Sequence, residues 1–152
     1  MPVRYQKHDP DAALSEIKSL LENITPGQTG TSSLRVGPEH TAAKVGSGVI
    51  PVLATPVMIN VIEAAALACA EALLPEGHQS LGTRLDVSHI AATPVGMTVT
   101  AQAVVTKVEG RMIFFKVTCR DEKDLIGEGT HERVVVNVER FAERVRRKSE
   151  SI

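Results

Sequence analysis

The feature that most constrains the fold is a long apolar run, VMINVIEAAALACAEALL, at residues 57–74. A helix that is apolar almost all round must lie inside something, either a protein core or a membrane. The run carries Glu63 near its middle, and a carboxylate at that depth would be costly in lipid. Thr55 and Pro56 supply an N-cap residue and a favoured first helical residue, and Pro75 ends the run. We therefore predict a buried helix of a soluble protein and no membrane partner.

The chain after this helix has the period-2 alternation that is typical of strands. Four strands are predicted, followed by a charged helix, over residues 79–91, 97–108, 111–120, 125–138 and 139–148. In the first strand, odd residues such as Leu81 and Leu85 form the apolar face and even residues such as Ser80 form the polar face. A long helix followed by an antiparallel meander predicts an α+β fold in which a curved sheet wraps the helix. The exposed edges of such a sheet favour a homodimer or a higher oligomer.

A shorter amphipathic helix is predicted over residues 9–24, with one apolar face made by Leu14, Ile17, Leu21 and Ile24. This helix either docks on the domain's own surface or serves as a lid or a dimer contact. Residues 28–33 are small and polar, which is typical of a linker. We therefore divide the chain into an N-terminal extension with its linker, residues 1–33, and a main domain, residues 34–152.

Composition excludes several classes of function. Lys and Arg number 17 and Asp and Glu number 18, so the net charge of -1 gives no general attraction to nucleic acid or to anionic membranes. Aromatic residues make up only 3 %, too few for a base-stacking platform. Cys69 and Cys119 are too few for a disulfide framework or a four-cysteine zinc site, so they are interpreted as reduced core thiols. No metal or redox cofactor is predicted, and the N-terminus lacks the apolar run of a signal peptide, which favours the cytoplasm.

Three polar residues occupy positions where the pattern favours apolar ones. Glu63 lies within the apolar helix, His89 lies on the apolar face of the first long strand, and Thr55 stands at the helix N-terminus. A buried carboxylate beside a buried imidazole is costly unless the two groups serve each other in a site. The simpler interpretations are a carboxylate that reaches solvent, a hydrogen-bonded core histidine and a helix cap.

Two further features stand out in the strands. Gly82 interrupts the strand pattern, which indicates either a close approach of the backbone to a ligand or a bulge in a curved sheet. His131 and Arg133 alternate onto one face of the last strand. Arg133 would bind a carboxylate or phosphate of a ligand, or it would pair with an acidic residue inside the protein.

Taken together, these segments resemble the hotdog-fold thioesterases, and within them the fluoroacetyl-CoA thioesterase group. The resemblance covers about residues 35–148 and rests on four segments: Ala54-Thr55-Pro56 with Glu63, SLGTRLDVSHIAATPVGMTVT at 80–100, VEGR at 108–111 and IGEGTHERVVV at 126–136. It implies a dimer with active sites at the subunit interface and the hydrolysis of an acyl-CoA to a free acid and CoA. The CoA belongs to the substrate.

The resemblance also implies roles for five residues. The family's hydroxyl, carboxylate and imidazole fall on Thr55, Glu63 and His89, the backbone donor to the thioester oxygen falls on Gly82, and the family's arginine falls on Arg133. Glu63 would act as nucleophile or as base for water, His89 would handle protons, and Thr55 would position the carboxylate and the acyl group.

One stretch departs from the family. The fluoroacetyl-specific enzyme is thought to gate its pocket with phenylalanines before the helix, and the stretch GSGVIPVLA at residues 46–54 has no aromatic residue. We therefore predict a short or medium acyl group without halogen discrimination. Two alternatives are a non-catalytic acyl-CoA binding protein and a hydratase acting on enoyl-CoA.

Overall fold

The computed structural model describes residues 21–152. Its helices are α1, α2 and α3, over Ala42–Val45, Thr55–Ala70 and Val138–Glu150, and short 3-10 turns span Pro38–His40 and Glu71–Leu73. Its strands β1 to β5 span Thr29–Arg35, His78–His89, Thr98–Glu109, Met112–Arg120 and Leu125–Asn137. The predicted α+β combination of one long helix and an antiparallel sheet is confirmed.

Helix α2 begins one residue earlier than the sequence indicates. Ala54 is its N-cap and Thr55 is already helical, so the prediction that Thr55 caps the helix is wrong. Pro56 lies in the first turn, where its missing N–H costs nothing. The hydroxyl of Thr55 is therefore not committed to the helix N-terminus and contacts His89 instead.

The sheet is antiparallel throughout and has the strand order β1-β3-β4-β5-β2 within the described residues. The predicted meander holds for β3, β4 and β5. It is wrong for β2, which pairs with β5 at the far edge and not with β3, its neighbour in sequence. The segment after β2 therefore crosses to the other side of the sheet, and both β1 and β2 are edge strands.

Helix α2 packs against the sheet through its small residues. A Cβ added at Gly30 of β1 would overlap the backbone oxygen of Ala65 and lie 2.5 Å from the Cys69 nitrogen. Such close approach needs a strand residue without a side chain and alanines on the helix. The buried residues of α2 are Met58, Val61, Ile62, Ala65, Ala66, Cys69 and Ala70.

A β-bulge divides β2 into two halves. The pairing of β2 with β5 shifts between Gly82 and Arg84, which leaves Thr83 as the extra residue. Before the bulge the even residue Ser80 is buried, whereas after it the odd residues Leu85, Val87 and His89 are the less exposed ones. The predicted faces are therefore right for the second half of the strand and reversed for the first.

The predicted linker at residues 28–33 is wrong, because most of it belongs to β1. The helix predicted over residues 9–24 lies almost entirely outside the described residues, and only Leu21 and Ile24, both buried, belong to the described core. Cys69 and Cys119 are both buried and free, as predicted. Burial raises the pKa of the Cys119 thiol to about 11.

The segment Thr55–Leu73 is apolar and long enough to cross a membrane by length and composition alone, and 39 % of it is buried in a single copy of the chain. In the structure this segment lies against the sheet and carries Glu63 in an ion pair with Arg133 of β5. Its apolar character is therefore explained in part by packing within the protomer. The remaining apolar surface of the helix stays uncovered in one copy.

Candidate active site

The first functional pair joins the start of α2 to the end of β2. The Thr55 Oγ1 and His89 Nδ1 atoms lie 2.7 Å apart, a hydrogen-bond distance. His89 is the last residue of β2 and faces inward because the odd residues do so after the bulge. The structure therefore brings two of the predicted site residues into direct contact.

A cavity of about 570 Å³ adjoins this pair, and Thr55 and His89 both line it. None of its lining side chains is charged. A concave, mostly apolar pocket with a few polar groups is the usual form of a small-molecule site. The apolar lining consists of Ala42, Val49, Ile50, Val52, Leu53, Ile90, Ala91 and Ala92.

The His89 ring has one satisfied nitrogen and one that lacks a partner. Its Nε2 atom is buried and makes no hydrogen bond within residues 21–152. Burial lowers the pKa of His89 below its usual value, and the nearby Ala91 backbone opposes that shift in part. A neutral ring with a buried, unpartnered nitrogen is an exception to the rule that buried polar atoms are paired, and such exceptions occur at sites that bind a ligand.

The second functional group centres on Glu63, in the middle of α2. Its Oε2 atom accepts a hydrogen bond from NH1 of Arg133 on β5, at 3.2 Å. The Arg133 side chain is 6 % exposed and the Glu63 side chain 37 %. Of the two interpretations of Arg133, pairing with an acidic residue inside the protein is the one observed in this state.

Gly82 lies against the same carboxylate. It pairs with Arg133 across the β2–β5 ladder, and a Cβ at Gly82 would lie 2.5 Å from Glu63 Oε2. The pattern break at Gly82 therefore reflects both interpretations given above: a close approach, here to the Glu63 side chain, and a bulge immediately after it. Whether its N–H binds a thioester oxygen stays a prediction.

Sequence reasoning missed two further members of this group. Ser80 accepts a hydrogen bond from Arg133 Nε at 2.8 Å, and its own hydroxyl donates to Glu71 at 2.6 Å. The sequence pattern places Ser80 on the outer face, which holds only for a strand without a bulge. Glu71 lies near the C-terminal end of the apolar run, where a carboxylate is ordinarily solvated, so no signal in the sequence distinguishes it.

The two groups are separate within one copy. Thr55 and Glu63 are eight residues apart on α2, which is about 12 Å along a helix axis. In the described part of the chain no hydrogen bond joins Glu63 to Thr55 or His89. Each copy thus carries a hydroxyl–imidazole pair at one end of the helix and a carboxylate–guanidinium pair two turns further on.

The site has no cluster of side chains that resembles the ligand set of a metal within the described residues. Between residues 21 and 152, no group of three or more His, Cys, Asp or Glu side chains is placed to hold a metal ion. The polar groups at the site are a hydroxyl, an imidazole, a carboxylate and a guanidinium. These are groups that move protons and orient a carbonyl.

Comparison with known proteins places this arrangement in a family. Residues 36–139, more than half of the chain, match the family described as fluoroacetyl-CoA-specific thioesterase. The chain belongs to the fluoroacetyl-CoA-specific thioesterase family. It is accordingly a thioester hydrolase that acts on acyl-CoA, which favours the predicted enzyme over a binding protein.

The relatives of this family support the fold as well as the class of reaction. The fluoroacetyl-CoA thioesterase of Streptantibioticus cattleyicolor is 44 % identical over 98 residues, which cover 64 % of this chain and 70 % of that protein. The solved structure of FlK, the fluoroacetyl-CoA thioesterase, in a variant complexed with fluoroacetate, has a TM-score of 0.78 and 36 % identity and covers 82 % of this chain and 98 % of its own.

A third relative, a thioesterase superfamily member from Thermus thermophilus, has a TM-score of 0.79 and 30 % identity over 84 % of this chain and 95 % of its own. The predicted hotdog fold is thereby confirmed.

Proposed function

We propose that the protein hydrolyses a short or medium acyl-CoA to the free acid and CoA, and that Thr55, Glu63 and His89 carry out the reaction. Water supplies the hydroxyl of the acid, and the sulfur of CoA leaves with a proton. The observation that carries the proposal is the unpartnered, buried Nε2 of His89 at the wall of an apolar cavity. A neutral imidazole in that position is suited to accept and return a proton at neutral pH.

The roles follow from the two groups of contacts. Glu63 attacks the thioester carbonyl or takes a proton from the attacking water, and in both routes its contact with Arg133 holds the carboxylate in place. The proton that the water molecule loses, taken up directly by His89 Nε2 or passed on to it by Glu63, is returned by His89 to the departing thiolate. Thr55 orients the His89 ring through their hydrogen bond, and Gly82 presents its backbone N–H to the thioester oxygen.

The two groups form one site only if a second copy supplies one of them, so we propose a homodimer. Edge strand β2 is open on one side, and antiparallel pairing with the same strand of a second copy would close it. If the twofold axis passes between Leu85 and Asp86, Gly82 lies opposite the partner subunit's His89. Such pairing would place the Glu63 carboxylate of one copy near the imidazole of the other.

The cavity supports an acyl group without a halogen requirement. Its wall before α2 is formed by Val49, Ile50 and Val52, and no lining residue is Phe, Tyr or Trp. A pocket of aliphatic side chains distinguishes acyl chains by size, and a single methylene changes binding by only about 1–3 kcal/mol. We propose a saturated short or medium chain as the substrate and the cytoplasm as the location.

The activity is tested by measuring the release of free thiol from a series of acyl-CoA substrates. We expect Glu63→Gln and His89→Ala each to lower kcat by a factor of about 100 or more, as for loss of a general acid or base. Glu109→Gln, an exposed carboxylate in a hairpin, is the matched control and should keep full activity. Wild-type turnover by either site variant would remove the proposed site.

The shared site is tested by mixing the two inactive variants. Because heterodimers of Glu63→Gln with His89→Ala would contain one site with both wild-type residues, co-refolding should restore about a quarter of the wild-type activity. Each variant refolded alone is the control. Absence of recovery, with dimer exchange shown by mass labelling, would place both residues of each site in the same copy.

A further inference from the structure

A buried polar network lies behind the Glu63 carboxylate, and Arg133 is its centre. Four hydrogen bonds involve the guanidinium: Nε donates to Ser80 Oγ at 2.8 Å, NH2 to the Ser80 carbonyl at 3.0 Å, and NH1 to both Glu63 and His131 at 3.2 Å. Ser80, His131 and Arg133 are 4 %, 1 % and 5 % exposed. A planar guanidinium bound on all three nitrogens has essentially one orientation.

Glu71 sets the direction of the Ser80 hydroxyl. One Glu71 oxygen accepts from the backbone N–H of Ser80 at 2.8 Å and from its hydroxyl at 2.6 Å. Because the hydroxyl proton points to Glu71, the oxygen lone pairs are left for Arg133 Nε. Glu71 lies in the 3-10 turn that follows α2, so this contact ties the end of the helix to the start of β2.

His131 fixes the guanidinium from the other side. Its Nδ1 donates to the Arg84 carbonyl at 2.8 Å, which leaves Nε2 as an acceptor for Arg133 NH1. This arrangement requires a neutral ring, because a protonated imidazole has no lone pair to offer and would repel the guanidinium. Phe115 stacks on the ring, with centroids 6.0 Å apart, and restrains its tilt.

The network determines which oxygen of Glu63 is available. Oε2 accepts from Arg133, and the absent Cβ of Gly82 leaves room for it. No group in residues 21–152 forms a hydrogen bond with Oε1. The carboxylate is thus held by one oxygen from behind and presents the other to the open side of the helix.

We propose that Glu71, Ser80 and His131 are positioning residues that hold Arg133 in the orientation in which it fixes the Glu63 carboxylate. They touch neither substrate nor reacting atoms and act through Arg133. The proposal rests on the role proposed for Glu63, and its test is designed so that the two can fail separately.

The kinetic test uses Ser80→Ala and Glu71→Gln. Loss of the Ser80 hydroxyl leaves a buried charged donor without its partner, so we expect kcat to fall about tenfold while KM changes by less than about twofold. Glu71→Gln keeps a carbonyl acceptor and should retain most of the activity, whereas Glu71→Leu should resemble Ser80→Ala. The controls, Ser33→Ala on β1 and Glu76→Gln before β2, are exposed and should match wild type.

A double variant tests the route of action. If Ser80 acts through the guanidinium, then adding Ser80→Ala to Arg133→Lys should change kcat by less than about twofold, because the ammonium cannot reproduce the Nε–H contact. A tenfold loss in both backgrounds would show that Ser80 acts elsewhere. An unchanged kcat for Ser80→Ala, or a rise in KM alone, would also overturn the proposal.

An independent readout is the Nε–H resonance of Arg133 in a ¹H–¹⁵N spectrum, assigned by its loss in Arg133→Lys. We expect its exchange with water to be slow in wild type and at least about tenfold faster in Ser80→Ala. Wild-type turnover by Glu63→Gln would refute the catalytic role of Glu63, and the exchange rate would still report whether Ser80 and Glu71 hold Arg133. Unchanged exchange in Ser80→Ala would refute the positioning role alone.

Discussion

Gly82 and Glu63 share a space that one additional carbon atom would fill. The carboxylate reaches Arg133 only because β2 has no side chain at residue 82, where a Cβ would lie 2.5 Å from Glu63 Oε2 and 3.1 Å from a carbon of the His131 ring. The far end of a glutamate is flexible, so a clash there is relieved by moving the carboxylate. The cost of a larger residue at this position should therefore appear in the reaction more than in the stability of the fold.

Gly82→Ala tests this expectation. We expect kcat to fall at least about tenfold, since displacement of about 1 Å of a reacting group has large effects on rate. The midpoint of thermal unfolding should move by only a few degrees, as expected for a loss of about 1 kcal/mol. Gln79→Ala, an exposed position on the same strand, is the control. A stable variant with wild-type turnover would contradict the role of this close approach.

The neutral state of His131 makes stability depend on pH. Burial lowers the pKa of His131, its bond to the Arg84 backbone opposes the shift, Arg133 lowers the pKa further, and Glu63 and Glu132 raise it. The unfolded chain therefore binds a proton at a higher pH than the folded chain does. The stability contributed by the neutral ring is complete above the unfolded pKa of about 6.5 and is lost as pH falls below that value.

Urea unfolding at pH 7.5 and at pH 5.5 measures this loss. Wild type should lose stability on acidification, by up to about 1.4 kcal/mol per pH unit for one such group. His131→Gln should be less stable at pH 7.5 and should lose less on acidification. His78→Gln, at the start of β2, is the control for removing a histidine. Equal losses in wild type and His131→Gln would show that this ring does not govern the effect.

At the level of elements, the close packing of β1 on α2 depends on one glycine. The Cβ of an alanine at Gly30 would meet backbone atoms of Ala65 and Cys69, which cannot move without shifting the helix. We expect Gly30→Ala to lower the free energy of unfolding by about 3 kcal/mol, the upper range for overpacking. Denaturant unfolding measures the loss, with Thr31→Ala on the same strand as the control.

Substitutions of Thr55 distinguish a helix-capping role from a role in the site. Because Ala54 and not Thr55 is the N-cap of α2, Thr55→Val should lower stability by less than about 0.5 kcal/mol, whereas loss of a true cap costs about 1 kcal/mol. Its kcat should fall at least about tenfold, because the His89 ring loses its hydrogen-bond partner. Thr55→Ser keeps the hydroxyl and should stay within about threefold of wild type. A large stability loss with normal turnover would restore the capping interpretation.

The elements with strong periodicity were predictable and the others were not. Side-chain pattern alone predicts the apolar helix and the alternation in β3 to β5. It also predicts that His131 and Arg133 lie on the same face of the last strand. The pattern predicts a linker at β1 because its residues are small and polar, and it is the long-range pairing with β3 and the contact with the helix that make it a strand. The pattern places Ser80 on the wrong face because the bulge at Thr83 changes which residues face inward; Gly82 indicates that a bulge is possible but does not fix where the pairing shifts.

At the scale of the whole molecule, the uncovered side of α2 is the clearest sign of a second copy. Leu67 on the helix and Leu81 on the open edge strand are 42 % and 41 % exposed. Both lie on elements that the proposed pairing would cover. Burial of exposed apolar side chains and closure of the sheet edge act together in such an interface.

If the proposed dimer forms, Leu67→Glu should convert it to a monomer of 16.3 kDa, measured by light scattering after gel filtration. A charge at a buried interface lacks a partner and costs several kcal/mol. Activity should be lost together with the dimer, because each copy then has only half of the site. Val145→Glu on α3, 52 % exposed, is the matched control and should stay dimeric and active. A monomeric Leu67→Glu with full activity would refute the shared site.

The bulge at Thr83 shifts the pairing of β2 with β5 by one residue. The two halves of β2 therefore contact different parts of the protein. The half before Thr83 holds Ser80 and Gly82, which lie beside Arg133 and the Glu63 carboxylate, and the half after it ends at His89, which lines the cavity. Deletion of Thr83 would reverse which side chains of one half face the interior. Replacement of the segment after Thr83 would leave the inward-facing residues of the first half unchanged. An engineer who wishes to change the chain length accepted by the enzyme can therefore redesign residues 90–92, which line the cavity, while keeping His89 and the residues before Thr83.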